Sequence, residues 1–207
     1  MMELVLPEHL AERITELYAR MEDDYNKVAG ALDFSCVGCP DNCCDSYFQH
    51  HTYVEWAYLW RGLRMLSDEK REKIQKWATD YREKCRQAES RGERPQVMCP
   101  LNEDGLCILY AHRLLVCRTH GVPARMRRPD GQMLRFPGCF RCQELVDERE
   151  KTGLKTPSVE RTSLLMELAK IEQELLTYRR DLYPKVKMTI ADMILEGPPT
   201  IPPHCEG

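Results

Sequence analysis

The chain has 207 residues, of which 43% are hydrophobic and 30% charged, with a formal net charge of −3. That length suits one domain, or one domain with an appendage, and the composition suffices for a real core. The charge balance does not point to nucleic acid, and no apolar run approaches the ~18 residues of a membrane-spanning helix. The first ten residues lack the basic start and apolar run of a signal peptide. Eleven cysteines therefore read as reduced thiols of a cytoplasmic protein, metal ligands or redox groups more than disulfides.

Taken in order, residues 7–30 form the first expected helix. Leu10, Ile14, Leu17, Met21, Tyr25 and Val28 recur at spacings of three and four, and Pro7 fits the first turn. Residues 31–51 are a cysteine loop. Thr52 and Glu55 make a capping-box pattern for a second helix, through Trp56, Leu59, Trp60 and Leu63 to about Leu66. Ser67, followed by Asp68 and Glu69, caps a third, whose apolar face is Ile74, Trp77, Ala78, Tyr81, Cys85 and Ala88. Cys85 falls on that stripe and reads as core. A short helix is expected from Ile108 to Val116 and a β-hairpin over 122–136 around Pro129-Asp130-Gly131. Thr156 and Pro157 open a further helix, to about Tyr183, with Leu164, Leu165, Leu168, Ile171, Leu175 and Leu176 on its apolar face. It is a candidate for packing against the first helix or a partner. Thr189 and Asp192 cap a last short helix, and the proline-rich stretch 196–207, with Cys205, is a flexible tail.

Nine cysteines lie in three blocks: Cys36, Cys39, Cys43 and Cys44; Cys99, Cys107 and Cys117; Cys139 and Cys142. Cys-x2-Cys turns give the bite that tetrahedral zinc or an iron–sulfur cluster requires. A disulfide in so short a loop would be strained. Cys43 and Cys44 are adjacent, and neighbouring side chains in extended backbone point apart, so the pair suits two different sites. Number favours iron: nine thiols exceed one tetrahedral site and nearly suit two four-thiolate centres. Phe34, Tyr47, Phe48, Phe136 and Phe140 could shield either kind of centre. The run is not a ferredoxin pattern.

The first block, with Cys99-Pro100, Gly105-x-Cys107, Tyr110-x-x-Arg113 and Cys117-Arg118, resembles the CxxCxxCC (YkgJ-like) family of cysteine-cluster proteins. The resemblance covers about residues 33–142, with three residues in the last interval of the first block where the family name implies two, and Leu114 where a proline is frequent. It implies a zinc- or iron-chelating domain. It also brings in an enzymatic alternative, because a flagellin lysine methylase shares a cluster of this type.

Arg113, Arg118, Arg125, Arg127, Arg128, Arg135 and Arg141 lie between Cys107 and Cys142. Arg113 and Arg118 are expected to offset thiolate charge. The Arg125–Arg135 hairpin is expected to face outward, open to an anionic ligand or partner. His50, His51, His112 and His120 read as surface residues or neighbours of the ligands. Catalytic motifs are not recognised.

The expectation is a mainly α single domain, residues 1–207, with helices around an irregular cysteine-rich metal-binding centre and a small β-hairpin. Its core is 33–142, flanked by helices in 1–30 and 156–195. The function expected is cytoplasmic metal binding, as an iron–sulfur cluster or zinc in one or two centres, for a structural, storage or redox role. A metal-dependent enzyme modifying a protein, or acting in redox chemistry, is the alternative.

Overall fold

The computed structural model describes residues 2–37, 39 and 43–203. Among these the chain is mainly α. The helices are α1 (Glu8–Ala31), α2 (Tyr53–Leu63), α3 (Asp68–Ser90), α4 (Leu115–Thr119), α5 (Phe140–Lys151), α6 (Thr162–Leu175) and α7 (Ile190–Leu195). The strands are β1 (Asn102–Glu103), β2 (Leu106–Cys107), β3 (Ala124–Arg127), β4 (Met133–Phe136) and β5 (Val159–Glu160). No described helix is long and apolar enough to cross a membrane. The tail expected to hold Cys205 lies mostly outside the described residues.

Contacts group the chain into two compact units, and both draw on the 33–142 stretch. The first comprises Met1–Ala11, Cys44–Cys117 and Glu172–Gly207; the second comprises Glu12–Cys43 and Arg118–Ile171.

In the first unit α3 packs on α7. The caps read from sequence are present: Thr52 accepts from Glu55 N–H, Ser67 from Lys70 N–H, and Thr189 forms a full capping box with Asp192. Trp56 and Trp60 donate their indole N–H groups to the Gly197 and Met193 carbonyls at 2.8 and 2.9 Å, satisfying acceptors at the end of α7. Cys85 is core, 5% exposed. Burial holds its thiol above the usual range, and a Tyr81 hydrogen bond partly opposes this.

In the second unit β3 pairs antiparallel with β4 and parallel with β5. The hairpin is where the sequence places it. Arg125, Arg127 and Arg128 are exposed. An ion pair joins Arg20 of α1 to Glu167 of α6 at 2.5 Å.

Three elements differ from expectation. The run from Ile108 is not one helix: a 3-10 turn at Tyr110–His112 ends at Arg113, whose ψ of 138° is extended, and α4 starts only at Leu115. The helix expected from Thr156 begins at Thr162, because Val159 and Glu160 are taken up by β3. It ends at Leu175, where Thr177 and Tyr178 adopt positive φ and cannot prolong it. Finally, α5 was not expected at all. Cys142 is its buried residue, so it lacks the apolar stripe that reveals a helix.

Candidate metal centre

The first unit gathers Cys44, Cys99, Cys107 and Cys117. The Cys99 N–H donates to the Cys44 carbonyl at 2.9 Å, joining the first block to the second. Cys107 sits on β2, which the Asn102–Gly105 turn folds back on β1, bringing Cys107 opposite Asn102. Cys117 sits on α4. A buried carboxylate, Glu55 of α2, accepts the Leu115 N–H at 2.8 Å and so fixes the start of that helix. Thr52 donates its hydroxyl to the other Glu55 oxygen at 2.8 Å.

These thiols feel one another. Burial pushes the Cys117 thiol up to about 12, Arg113 opposes the rise, and Cys107, Cys44 and Glu55 add to it. Burial also holds Cys99 well above the usual thiol range. A main-chain bond to Leu101 works against it, and Cys117, Cys107 and Cys44 reinforce it. Arg113 donates to the Cys117 carbonyl and lies 5.1 Å from the Tyr110 ring centre.

The second unit gathers Cys36, Cys39, Cys139 and Cys142. The Cys39 N–H donates to the Cys36 carbonyl at 3.1 Å, closing the first Cys-x2-Cys turn. Cys139 is the N-cap of α5 and Cys142 lies in its first turn. The Cys139 N–H donates to the Gly121 carbonyl at 3.0 Å. Gly138, at φ +90°, allows that approach, since a Cβ there would meet the Gly121 oxygen at 2.6 Å. Burial pushes Cys142 up to about 11, helped by the charges of Cys139 and Cys36. The Arg141 guanidinium is held more strongly protonated, first by a hydrogen bond to Cys39 and then by its charge. The Tyr25 hydroxyl lies 3.7 Å from the Cys36 sulfur.

None of the ten described cysteines is in a disulfide. Among the described residues no three Cys, His, Asp or Glu side chains stand already arranged to hold a metal ion. Cys44 and Cys107 lie near enough to Cys99 and Cys117, and Cys36 and Cys139 near enough to Cys142, to raise those three thiols further. Each set still supplies four soft donors, which fits zinc or iron–sulfur chemistry.

Of the nine expected ligands, eight therefore divide four and four. Cys43 lies beside Cys44 in a 3-10 turn. Arg113 does lie at a cysteine. Arg118 covers the Tyr18 ring at 4.5 Å, and Arg141 bonds Cys39. Tyr25, Glu55 and Arg141 were not singled out from sequence. Tyr25 and Glu55 lie on stripes already explained by packing and capping, so no local signal marked them.

Of the histidines, His50 is 1% exposed, so it is not at the surface. Neither ring nitrogen has a hydrogen-bond partner, and Nδ1 lies 3.9 Å from Glu55. His112 packs on Tyr58, their ring centres 4.8 Å apart. Of the proposed shielding aromatics, Phe34 is buried and Phe140 is 51% exposed.

An open cavity of about 410 Å³ in the second unit is lined by Lys27, Arg125 and Lys155 among others. Asp24 and Glu160 already pair with Lys27 and Arg125, so its positive charge is largely offset. Compared with known proteins, the chain matches no protein family, no curated protein and no solved structure.

Proposed function

We propose that the protein is a cytoplasmic metal-binding protein with two four-thiolate centres. Cys44, Cys99, Cys107 and Cys117 would hold one, and Cys36, Cys39, Cys139 and Cys142 the other. The observation that carries this reading is where the chain brings the thiols: the Cys99 N–H meets the Cys44 carbonyl and the Cys39 N–H the Cys36 carbonyl, Cys107 and Cys44 lie near enough to raise Cys117, and Cys139 and Cys36 near enough to raise Cys142. Arg113 beside the first set and Arg141 beside the second offset the charge that four thiolates around a metal would carry.

An iron–sulfur cluster in each set would supply one-electron transfer, and zinc would supply cross-linking; thiol number favours iron. In the first set Cys99 and Cys117 are half-buried, which suits a structural or electron-holding centre. In the second, Cys36 is exposed, which suits exchange or storage. Deprotonation must accompany binding, so uptake releases protons and links metal to folding.

Anaerobic purification with metal analysis tests the reading. The expected result is a brown protein absorbing near roughly 400 nm with metal in both centres. Cys107→Ser should empty one centre and Cys39→Ser the other, while Cys85→Ser leaves both filled. A colourless preparation with two zinc ions per chain would assign zinc. A folded anaerobic protein without metal would overturn the reading.

A further inference from the structure

We propose that Cys36 is the thiol through which the second centre releases its metal to a thiol-bearing acceptor, and that the Tyr25 hydroxyl latches it. This rests on the metal reading above and adds direction to it.

The four thiols of that centre are not held alike. Cys142 is buried within α5, 0% exposed. Cys139 is the N-cap of the same helix, where main-chain N–H groups favour a thiolate. Cys39 has the Arg141 guanidinium. Cys36 lies outside any helix and is exposed. Its neighbour Val37 is 90% exposed, so the chain beside it offers no cover. The hydrogen-bond partner at its sulfur is the Tyr25 hydroxyl at 3.7 Å, while Arg141, bonded to Cys39, acts on Cys36 only through charge. When Cys36 is a thiolate, that hydroxyl is the donor, since a thiolate has no proton to give.

Gly121 holds the hydroxyl in place. A Cβ at Gly121 would lie 2.5 Å from the Tyr25 oxygen, and the φ of +122° there favours glycine. The Gly121 carbonyl also receives the Cys139 N–H. One glycine thus positions both the latch and a fixed ligand.

Release is a ligand exchange. The acceptor's thiolate forms a bond to the metal and the metal–Cys36 bond breaks. The Cys36 sulfur keeps its electron pair and takes a proton from water, and no electron changes hands. A hydrogen bond to sulfur draws charge from it and lowers its nucleophilicity toward competing electrophiles. It also keeps the sulfur from swinging out into solvent.

The test uses the full chain loaded with the metal it retains, mixed with excess dimercaptosuccinate. Metal release per chain is followed by elemental analysis, and alkylation of each cysteine by iodoacetamide is followed by mass spectrometry. The expected result is two phases, the faster from the second centre. Tyr25→Phe should speed that phase about tenfold, the value of one charge-assisted bond. It should leave the slower phase unchanged and, in a parallel sample without dimercaptosuccinate where metal stays bound, raise alkylation at Cys36 alone. Tyr178→Phe, at an exposed tyrosine, should change neither. An unchanged fast phase, or equal acceleration of both phases or of alkylation at all four thiols, overturns the latch. A chain that retains no metal overturns the metal reading instead.

Discussion

Replacing Glu55 by Ala removes a buried carboxylate that ties the start of α2 to the start of α4. Two bonds are lost: the Leu115 N–H at 2.8 Å, which is buried, and the Thr52 hydroxyl at 2.8 Å, which is part-buried. Hydrogen bonds to charged groups contribute about 1.5–3 kcal/mol each, so the pair is worth about 3 kcal/mol once the exposure of Thr52 is discounted. That is roughly a 150-fold loss in the folding equilibrium. Glu55→Gln keeps an acceptor for Leu115 and should cost only about 1 kcal/mol. Urea denaturation followed by circular dichroism, with the metal-free chain, measures both. Because Leu115 opens the helix that carries Cys117, the first centre should lose metal in Glu55→Ala while the second keeps it. Stability within about 0.5 kcal/mol of the parent, or loss of metal from the second centre alone, would refute the anchoring role.

Burial holds the Glu172 carboxyl above its ordinary value of 4.5, against the opposing pull of the Val54 and Tyr53 N–H groups and Arg180. The folded chain thus keeps a proton that the unfolded chain gives up, so this group's contribution to stability falls as pH rises from 4.5 through the folded value. Glu172→Gln should flatten that slope in pH-dependent denaturation. His50 has the opposite sense: burial keeps its imidazole neutral below 6.5, so its contribution is complete above 6.5 and falls on acidification. His50→Leu should reduce the acid-side loss of stability, and an unchanged acid limb would show that other groups set it. Gly138→Ala should cost upwards of about 2 kcal/mol by thermal unfolding, through left-handed strain and collision with the Gly121 carbonyl, and should empty the second centre first. Arg113→Ala should destabilise the metal-free chain by about 1–3 kcal/mol, whereas exposed Arg127→Ala should leave its melting point nearly unchanged.

The first three helices were legible because their apolar spacing and capping residues agree: Thr52 and Ser67 cap where expected. α5 was hidden because its one fully buried side chain is a cysteine that reads as a ligand. Thr156-Pro157 looked like a helix start and was overridden by tertiary pairing, Val159 lying against Ala124 across a long stretch of chain. Of the candidate site, the blocks were visible and the adjacent pair Cys43–Cys44 hinted at two centres. The partners were not visible. Spacing cannot reveal that Cys44 joins the second block while Cys36 and Cys39 meet the third, because those meetings rest on contacts between distant stretches: the Cys99 N–H on the Cys44 carbonyl, the Leu115 N–H on Glu55 and the Cys139 N–H on the Gly121 carbonyl.

The first unit is assembled from separated stretches of chain, which has a consequence for synthesis. The last of its four clustered cysteines, Cys117, emerges about 55 residues before Glu172, whose carboxylate receives the Tyr53 and Val54 N–H groups at the start of α2. α7, on which α3 packs, follows later still. At about 5–20 residues per second, the interval from Cys117 to Glu172 lasts roughly 3–10 s. Throughout it Cys44, Cys99, Cys107 and Cys117 stand on a half-walled nascent chain, where an early metal would meet an unfinished site. On the metal reading proposed above, loading of that centre would be a late event, after translation has delivered the residues that close the wall.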